Sequence, residues 1–279
     1  MPERGPGGGS CLSRGVLTIP RAGPILFGSN LLCCPYFPAE GQERKMRCTR
    51  ISSVAGEVHG PSPPEGKMRV GILGSGDVAK MLAAGLLKHG HDVMMGTRTP
   101  SKLVDWAKQN PRAKVGGFAE AARFGELVVL AVKGTVAPDA LRDAGAANLA
   151  GKPVIDATNP IADAPPVNGV VKFFTNLDES LMERLQREFA DARFVKAFNS
   201  VGNRLMINPQ LKGGPPTMFI CGNDEAAKRT VRGILDQFGW ETADMDKAEA
   251  ARAIEPLCML WLIPGFLRNQ WSHAFKLLT

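Results

Sequence analysis

Residues 68–73, Met-Arg-Val-Gly-Ile-Leu, form a short apolar run that gives way at once to Gly74-Ser75-Gly76-Asp77-Val78-Ala79, after which apolar residues recur at helical spacing. Strand, glycine turn and helix in direct succession are the setting in which a Gly-x-Gly-x-x-Gly/Ala pattern carries meaning. Gly74 permits the tight turn, Gly76 lets the backbone approach a pyrophosphate with no Cβ in the way, and Ala79 is small enough for helix and strand to lie close. The helix N-terminus then offers unpaired N–H groups and a partial positive charge to an anion. The pattern predicts dinucleotide binding, with the turn Ser75, Gly76, Asp77 and Val78 as the phosphate cradle.

From residue 68 onward, short apolar runs alternate with helical stretches. Strands are predicted at 68–73, 92–96, 126–132, 153–157, 193–198, 217–221 and 240–243. Helices are predicted at 77–89, 101–110, 117–123, 137–144, 178–190 and 224–238, with a long C-terminal helix from about 247. Such alternation implies an α/β fold, a Rossmann-type doubly wound parallel sheet. The expected organisation is a nucleotide-binding domain at 68–165 and a small C-terminal α/β extension at 166–279 ending in the long helix.

Residues 1–67 read differently. They hold eleven glycines and nine prolines, against 31 and 21 in the whole chain, and include Gly7-Gly8-Gly9 and Pro61-Ser62-Pro63-Pro64. Without helical or strand periodicity the segment is expected to be unstructured. A targeting segment and a start codon placed too far upstream are the two alternatives, the second because Met68 begins the first strand directly. Cys11, Cys33, Cys34 and Cys48 lie here without Cys-x-x-Cys spacing, so no metal site is expected. Cys221 and Cys258 stand apart in apolar surroundings, as suits a reducing compartment.

Composition removes several classes. The formal net charge of +7 is scattered, without a dense Lys/Arg run or interleaved aromatics, so nucleic acid is not an expected partner. Tyr36 is the single tyrosine and lies outside the periodic body, which excludes a mechanism built on a Tyr/Lys proton-donor pair. No stretch of about 18 uncharged apolar residues occurs. The window 253–267 contains Glu255, Pro256 and Pro264, and is read as a helix buried against the fold or a second subunit rather than a membrane span. Trp240, Trp261 and Trp271 are expected in the core or a subunit interface. A homodimer without membrane contact is expected, in the cytoplasm, with organelle targeting by residues 1–67 left open.

The second predicted strand ends Met94-Met95-Gly96-Thr97-Arg98, with no Asp or Glu to hold the ribose hydroxyls of NAD. Thr97 offers a hydroxyl, Arg98 a planar fork of donors and Lys102 a further cation, a set suited to a 2′-phosphate. Cations at a helix start oppose the dipole, which itself favours a bound anion. NADP is therefore the predicted cofactor.

The residues resemble the NADP oxidoreductases of the coenzyme F420-dependent family. The resemblance runs through nearly all of 68–279 and is carried by the run at 68–79, by Gly96-Thr97-Arg98 with Lys102, by Val154-Ile155-Asp156-Ala157-Thr158-Asn159-Pro160, and by Val195-Lys196-Ala197-Phe198-Asn199-Ser200. It implies that Thr97, Arg98 and Lys102 hold the 2′-phosphate and that Val132 and Lys133 line the cofactor. It also implies that Asn159, Pro160, Asn199 and Val201 fall where nicotinamide and acceptor meet. Some F420-using members have His at the position of Asn199 and Pro at that of Lys133, and this sequence departs from them there.

Hydride transfer between stacked rings needs alignment and a dry cleft more than acid or base groups. The periodic body has only His89, His91 and His273, none placed to serve a pocket. That scarcity favours a deazaflavin (F420), a flavin or a quinone as small-molecule acceptor. A reductase of imines or carbonyls of the pyrroline-carboxylate type, and a non-catalytic NADP(H) sensor, are the other readings. A membrane ferric reductase, which uses a related domain, is set aside on the missing spans. No catalytic residue is assigned. Lys133 could deliver a proton or snorkel at a strand end, Asn159 and Asn199 could bond the carboxamide or serve a turn, and Asp156 could face a ligand or bond turn amides.

Overall fold

Six apolar runs assemble into one parallel sheet in the computed structural model, which describes residues 66–279. The expectations for residues 1–65, including their cysteines, Tyr36 and lack of structure, lie outside the described residues. The first half of the sheet is built as β1 (Arg69–Leu73), α1 (Asp77–Lys88), β2 (Asp92–Gly96), α2 (Val104–Gln109), β3 (Lys114–Gly116), α3 (Phe118–Phe124) and β4 (Leu127–Leu130). The second half follows as α4 (Ala137–Ala144), the single turn α5 (Ala146–Leu149), β5 (Pro153–Asp156), α6 (Leu181–Glu188) and β6 (Arg193–Lys196). The strand order is β3-β2-β1-β4-β5-β6, with every neighbouring pair parallel. This is the doubly wound order, and the chain reverses its direction of build between β1 and β4.

β1 and β4 are central and covered on both faces, which is why they read as unbroken apolar runs rather than alternating ones. One face packs on α1 and on a later helix, α7 (Glu225–Gln237), through Leu82, Leu86, Val231 and Ile234; the other packs on α3, α4 and α6 through Ala121, Leu141 and Leu185. β6 follows residue 165, so the expected boundary there runs through the sheet rather than between two bodies.

Beyond it, β7 (Thr217–Ile220), α7 (Glu225–Gln237) and β8 (Glu241–Asp244) form a parallel two-stranded unit, and α7 lies back on the main sheet against β5 and β6. The backbone N–H of Lys196 donates to Cys221 O at 3.0 Å, joining β6 to the end of β7.

The last helix, α8 (Ala251–Arg268), buries a stripe of Ala251, Ile254, Glu255, Cys258, Trp261 and Gly265. With its leading turn it is the one helix among the described residues long and apolar enough to cross a membrane, and a third of its most apolar window is buried in the fold. Leu260, Phe266 and Leu267 remain exposed, so the predicted burial holds for one face only. Asn269 ends the helix in the left-handed region, φ 53°, and the tail turns back to β7, where Thr217 N–H donates to Phe275 O. Trp240 and Trp261 are buried as expected, whereas Trp271 is 37% exposed and leans on Trp261.

Candidate functional site

The carboxyl ends of β1 and β4 flank the point where the strand order reverses, the place where open α/β sheets bind ligands. Two contiguous clefts open there. The first, about 600 Å³, is lined by Ser75, Gly76, Asp77, Val78 and Lys102, together with Val132, Lys133 and Ala157. The second, about 590 Å³, shares those last three and extends over Thr158, Asn159 and the loop 161–165.

The glycine turn behaves as its residues require. Gly74 has φ +146°, its N–H donates to Gly96 O at 2.9 Å, and a Cβ there would collide with the carbonyl of Ala131. Gly76 caps α1 without any side-chain hydrogen bond, and a Cβ on it would meet nothing within 4 Å. That atom would stand in the cleft, so the hydrogen of Gly76 keeps a space a phosphate can fill. The first amides of the twelve-residue α1 are left to a ligand. Asp77 is acidic in that first turn, so the main-chain N–H groups, not its side chain, are what an anion would meet.

Thr97 is buried at the end of β2; its Oγ1 donates to Ser75 Oγ at 3.3 Å and accepts from Thr99 N at 3.1 Å. It thus fixes the glycine turn against the following loop. Arg98 is exposed and makes no ion pair among the described residues, and Lys102 reaches the cleft wall unpaired in the same sense. This chemistry, backbone donors beside two unpaired cations and no acid at the end of β2, fits a dinucleotide carrying a 2′-phosphate.

Lys133 stands where the two clefts meet, and its Nζ lies 3.2 Å from Asp163 Oδ1, both side chains being well exposed. Asn159 lies on the second cleft. Its Nδ2 donates to Asn199 O at 2.8 Å, while Asn199 Nδ2 donates to Asn159 Oδ1 at 3.2 Å and to Ile254 O at 2.9 Å. Pro160, Asn199 and Val201 are buried and line neither cleft: Val201 packs in the core and Asn199 reaches the cleft only through Asn159.

Beneath the second cleft lies a group of charges whose grouping the sequence did not disclose. Lys196 Nζ sits 2.7 Å from Asp156 Oδ2 and 2.9 Å from Glu255 Oε1, and donates to Thr158 O at 3.1 Å. All three side chains are essentially inaccessible. Asp156 Oδ1 accepts from the N–H and Oγ1 of Thr158, at 2.9 and 2.6 Å, so Asp156 serves the turn rather than facing a ligand. Burial alone would lower the Lys196 pKa, but the charges of Asp156 and Glu255 and the hydrogen bonds to them outweigh it and hold the ammonium charged. The signal was a lone acid, Glu255, inside an apolar helix; such a group is buried only when paired.

Burial pushes the Cys221 and Cys258 thiols up to about 12, which keeps both protonated. Fold and clefts define a dinucleotide-binding α/β protein of the doubly wound class.

Comparison with known proteins agrees. Residues 69–160 match the sequence model of the family described as NADP oxidoreductase, coenzyme F420-dependent. The crystal structure of a candidate F420-dependent NADP reductase from Arthrobacter sp. FB24 is 32% identical, with a TM-score of 0.72 over 76% of this chain and 100% of that one. The F420-dependent NADP reductase of Methanocaldococcus jannaschii is 27% identical over 208 residues, 69% of this chain and 90% of its own. Metalloreductase STEAP3 of Rattus norvegicus is 31% identical over 211 residues, 73% of this chain, and the match spans only 40% of that relative. A Streptomyces aurantiacus imine reductase shares the fold at 18% identity, with a TM-score of 0.55 over 71% of this chain and 63% of that one. The chain belongs to the coenzyme F420-dependent NADP oxidoreductase family.

Proposed function

We propose that the chain transfers a hydride between NADP(H) and a planar ring acceptor such as F420, a flavin or a quinone. The observation that carries this is the continuity of the two clefts through Val132, Lys133 and Ala157, which gives a phosphate-binding turn and a ring-sized space one shared wall. When bound, the nicotinamide supplies the hydride. The amides of α1 and the Ser75–Val78 turn hold the pyrophosphate, and Thr97, Arg98 and Lys102 surround the 2′-phosphate. Asn159, braced by Asn199, bonds the carboxamide and aligns the ring, while the apolar wall of Val132, Ala157 and Ile161 keeps water from the second cleft.

Reduction of an imine would need a proton at the acceptor, and among the described residues Lys133 is the single ammonium at the junction. Its pairing with Asp163 holds it at the rim, which favours the ring acceptor. The exposed face of α8 supports the expected homodimer, to be read from the solution mass.

Calorimetric titration with NADPH and NADH, repeated on Arg98→Ala, tests the cofactor assignment. NADPH should bind at least tenfold more tightly than NADH, and Arg98→Ala should remove most of that margin, since a charge-assisted contact contributes about 1.5–3 kcal/mol. Oxidation of NADPH in the presence of F420, FMN or a cyclic imine then assigns the acceptor; binding without turnover of any of them would favour a redox sensor.

A further inference from the structure

A third cavity adjoins the second cleft, and no residue of the cofactor assignment uses it. It measures about 480 Å³ and shares Gly134, Ala162 and Asp163 with the second cleft. Its own walls are Thr135 from the turn before α4, Pro138 from the first turn of α4, Phe174, and Leu181 from the start of α6. These are apolar except for one hydroxyl.

The charged groups at its edge are already matched. Arg184 Nε donates to Glu179 Oε2 at 2.7 Å, Glu188 Oε1 accepts from Arg142 Nε at 2.7 Å, and Asp163 pairs with Lys133. An anionic or cationic occupant would find no unpaired counter-charge and would break one of these pairs, whereas an uncharged apolar group would only displace water. Leu181 is also held firmly: its N–H and that of Met182 donate to the buried carboxylate of Glu255, each at 3.0 Å. The far wall therefore does not depend on the ligand for its position.

We infer that this third cavity is a subsite for an uncharged, apolar substituent of the hydride acceptor whose ring occupies the second cleft. The inference rests on the proposed function. It makes a ring acceptor bind more tightly when it carries an apolar arm than when it carries none.

The test is equilibrium binding to the full chain saturated with NADP⁺, comparing menadione with its 3-octyl analogue. The octyl analogue should bind at least tenfold more tightly. Thr135→Trp and, independently, Pro138→Trp should fill the cavity and reduce that advantage to less than twofold, while NADP⁺ and menadione affinities stay within twofold of the parent. Equal affinity for the two probes, or an advantage that survives both substitutions, would overturn the subsite. Failure of NADP⁺ itself to bind would instead overturn the reading of the two clefts, and the subsite with it.

Discussion

Lys196 on β6 and Glu255 on α8 meet at 2.9 Å with both side chains out of reach of water. Glu255 at the same time accepts the first two amides of α6, so one carboxylate ties the last strand of the sheet, the start of α6 and the C-terminal helix. Asp156 completes the group, two acids around one ammonium, with the α6 amides taking up the excess negative charge. Lys196→Met would leave two carboxylates buried with no cation. Removing one partner of a buried pair costs about 3–5 kcal/mol, and a loss of that size is expected in urea unfolding of Lys196→Met. A loss below about 1 kcal/mol would show that water reaches the group in solution.

Gly74 and Gly76 are separated by one residue and should fail in different ways. Gly74→Ala places a Cβ at φ +146° against the Ala131 carbonyl, so the protein should lose stability outright. Gly76 has ordinary backbone angles and open space around the added atom. Gly76→Val should keep the parent melting temperature within about 2 °C, given that about 1 kcal/mol moves Tm by roughly 2–4 °C in a chain of this size. NADPH and NADH should both bind it at least tenfold more weakly. Thermal melts set beside calorimetry separate the two effects; equal melting temperatures for both variants would contradict the geometry.

Why the sequence disclosed some of this and not the rest follows from particular residues. β1, β4 and β5 announced themselves because both faces are largely buried and the apolar run is continuous, and β2 through the apolar Val93–Met95 run. β3 did not: Lys114–Gly116 is a three-residue edge strand with half-exposed side chains, too short to show any period. The long helix was expected from about 247 without a stop, yet Asn269 in the left-handed region ends it, a cap that the sequence contained but an apolar context masked. Ser75, Lys102 and Asn159 reach the clefts because motif spacing fixes local geometry. Glu255 escaped because its partners, Lys196 and the amides of Met182 and Leu181, lie 59, 73 and 74 positions away, and no local pattern reports a pairing of that range.

His89 closes α1 against Phe238, with its ring Nε2 buried and unpartnered. Burial first, then the charges of His91 and Lys88, lowers its pKa below the ordinary 6.5. The unfolded chain therefore binds the proton more readily, and stability should be fully present above pH about 6.5 and decline as pH falls toward the depressed folded value. Urea midpoints between pH 8 and 5 should fall in the parent and flatten in His89→Asn. Parallel curves for the two proteins would remove His89 from the pH response.

Asn199 presents its Nδ2 to two acceptors, Asn159 Oδ1 and Ile254 O, and this fixes the amide's orientation and leaves its Oδ1 buried without a partner. Asn199→Asp replaces the donor by a carboxylate oxygen facing two carbonyl oxygens, so both bonds are lost and Asn159 is held only through its donation to the Asn199 main-chain carbonyl, free to turn at the second cleft. In the proposed binding mode the 2′-phosphate end of the cofactor meets Thr97, Arg98 and Lys102 and should not sense the change. NADPH is accordingly expected to bind Asn199→Asp at least fivefold more weakly, while adenosine 2′,5′-bisphosphate, which lacks the nicotinamide half, binds as it does to the parent. Equal weakening of both ligands would mean that Asn199 supports the fold at large rather than the position of Asn159.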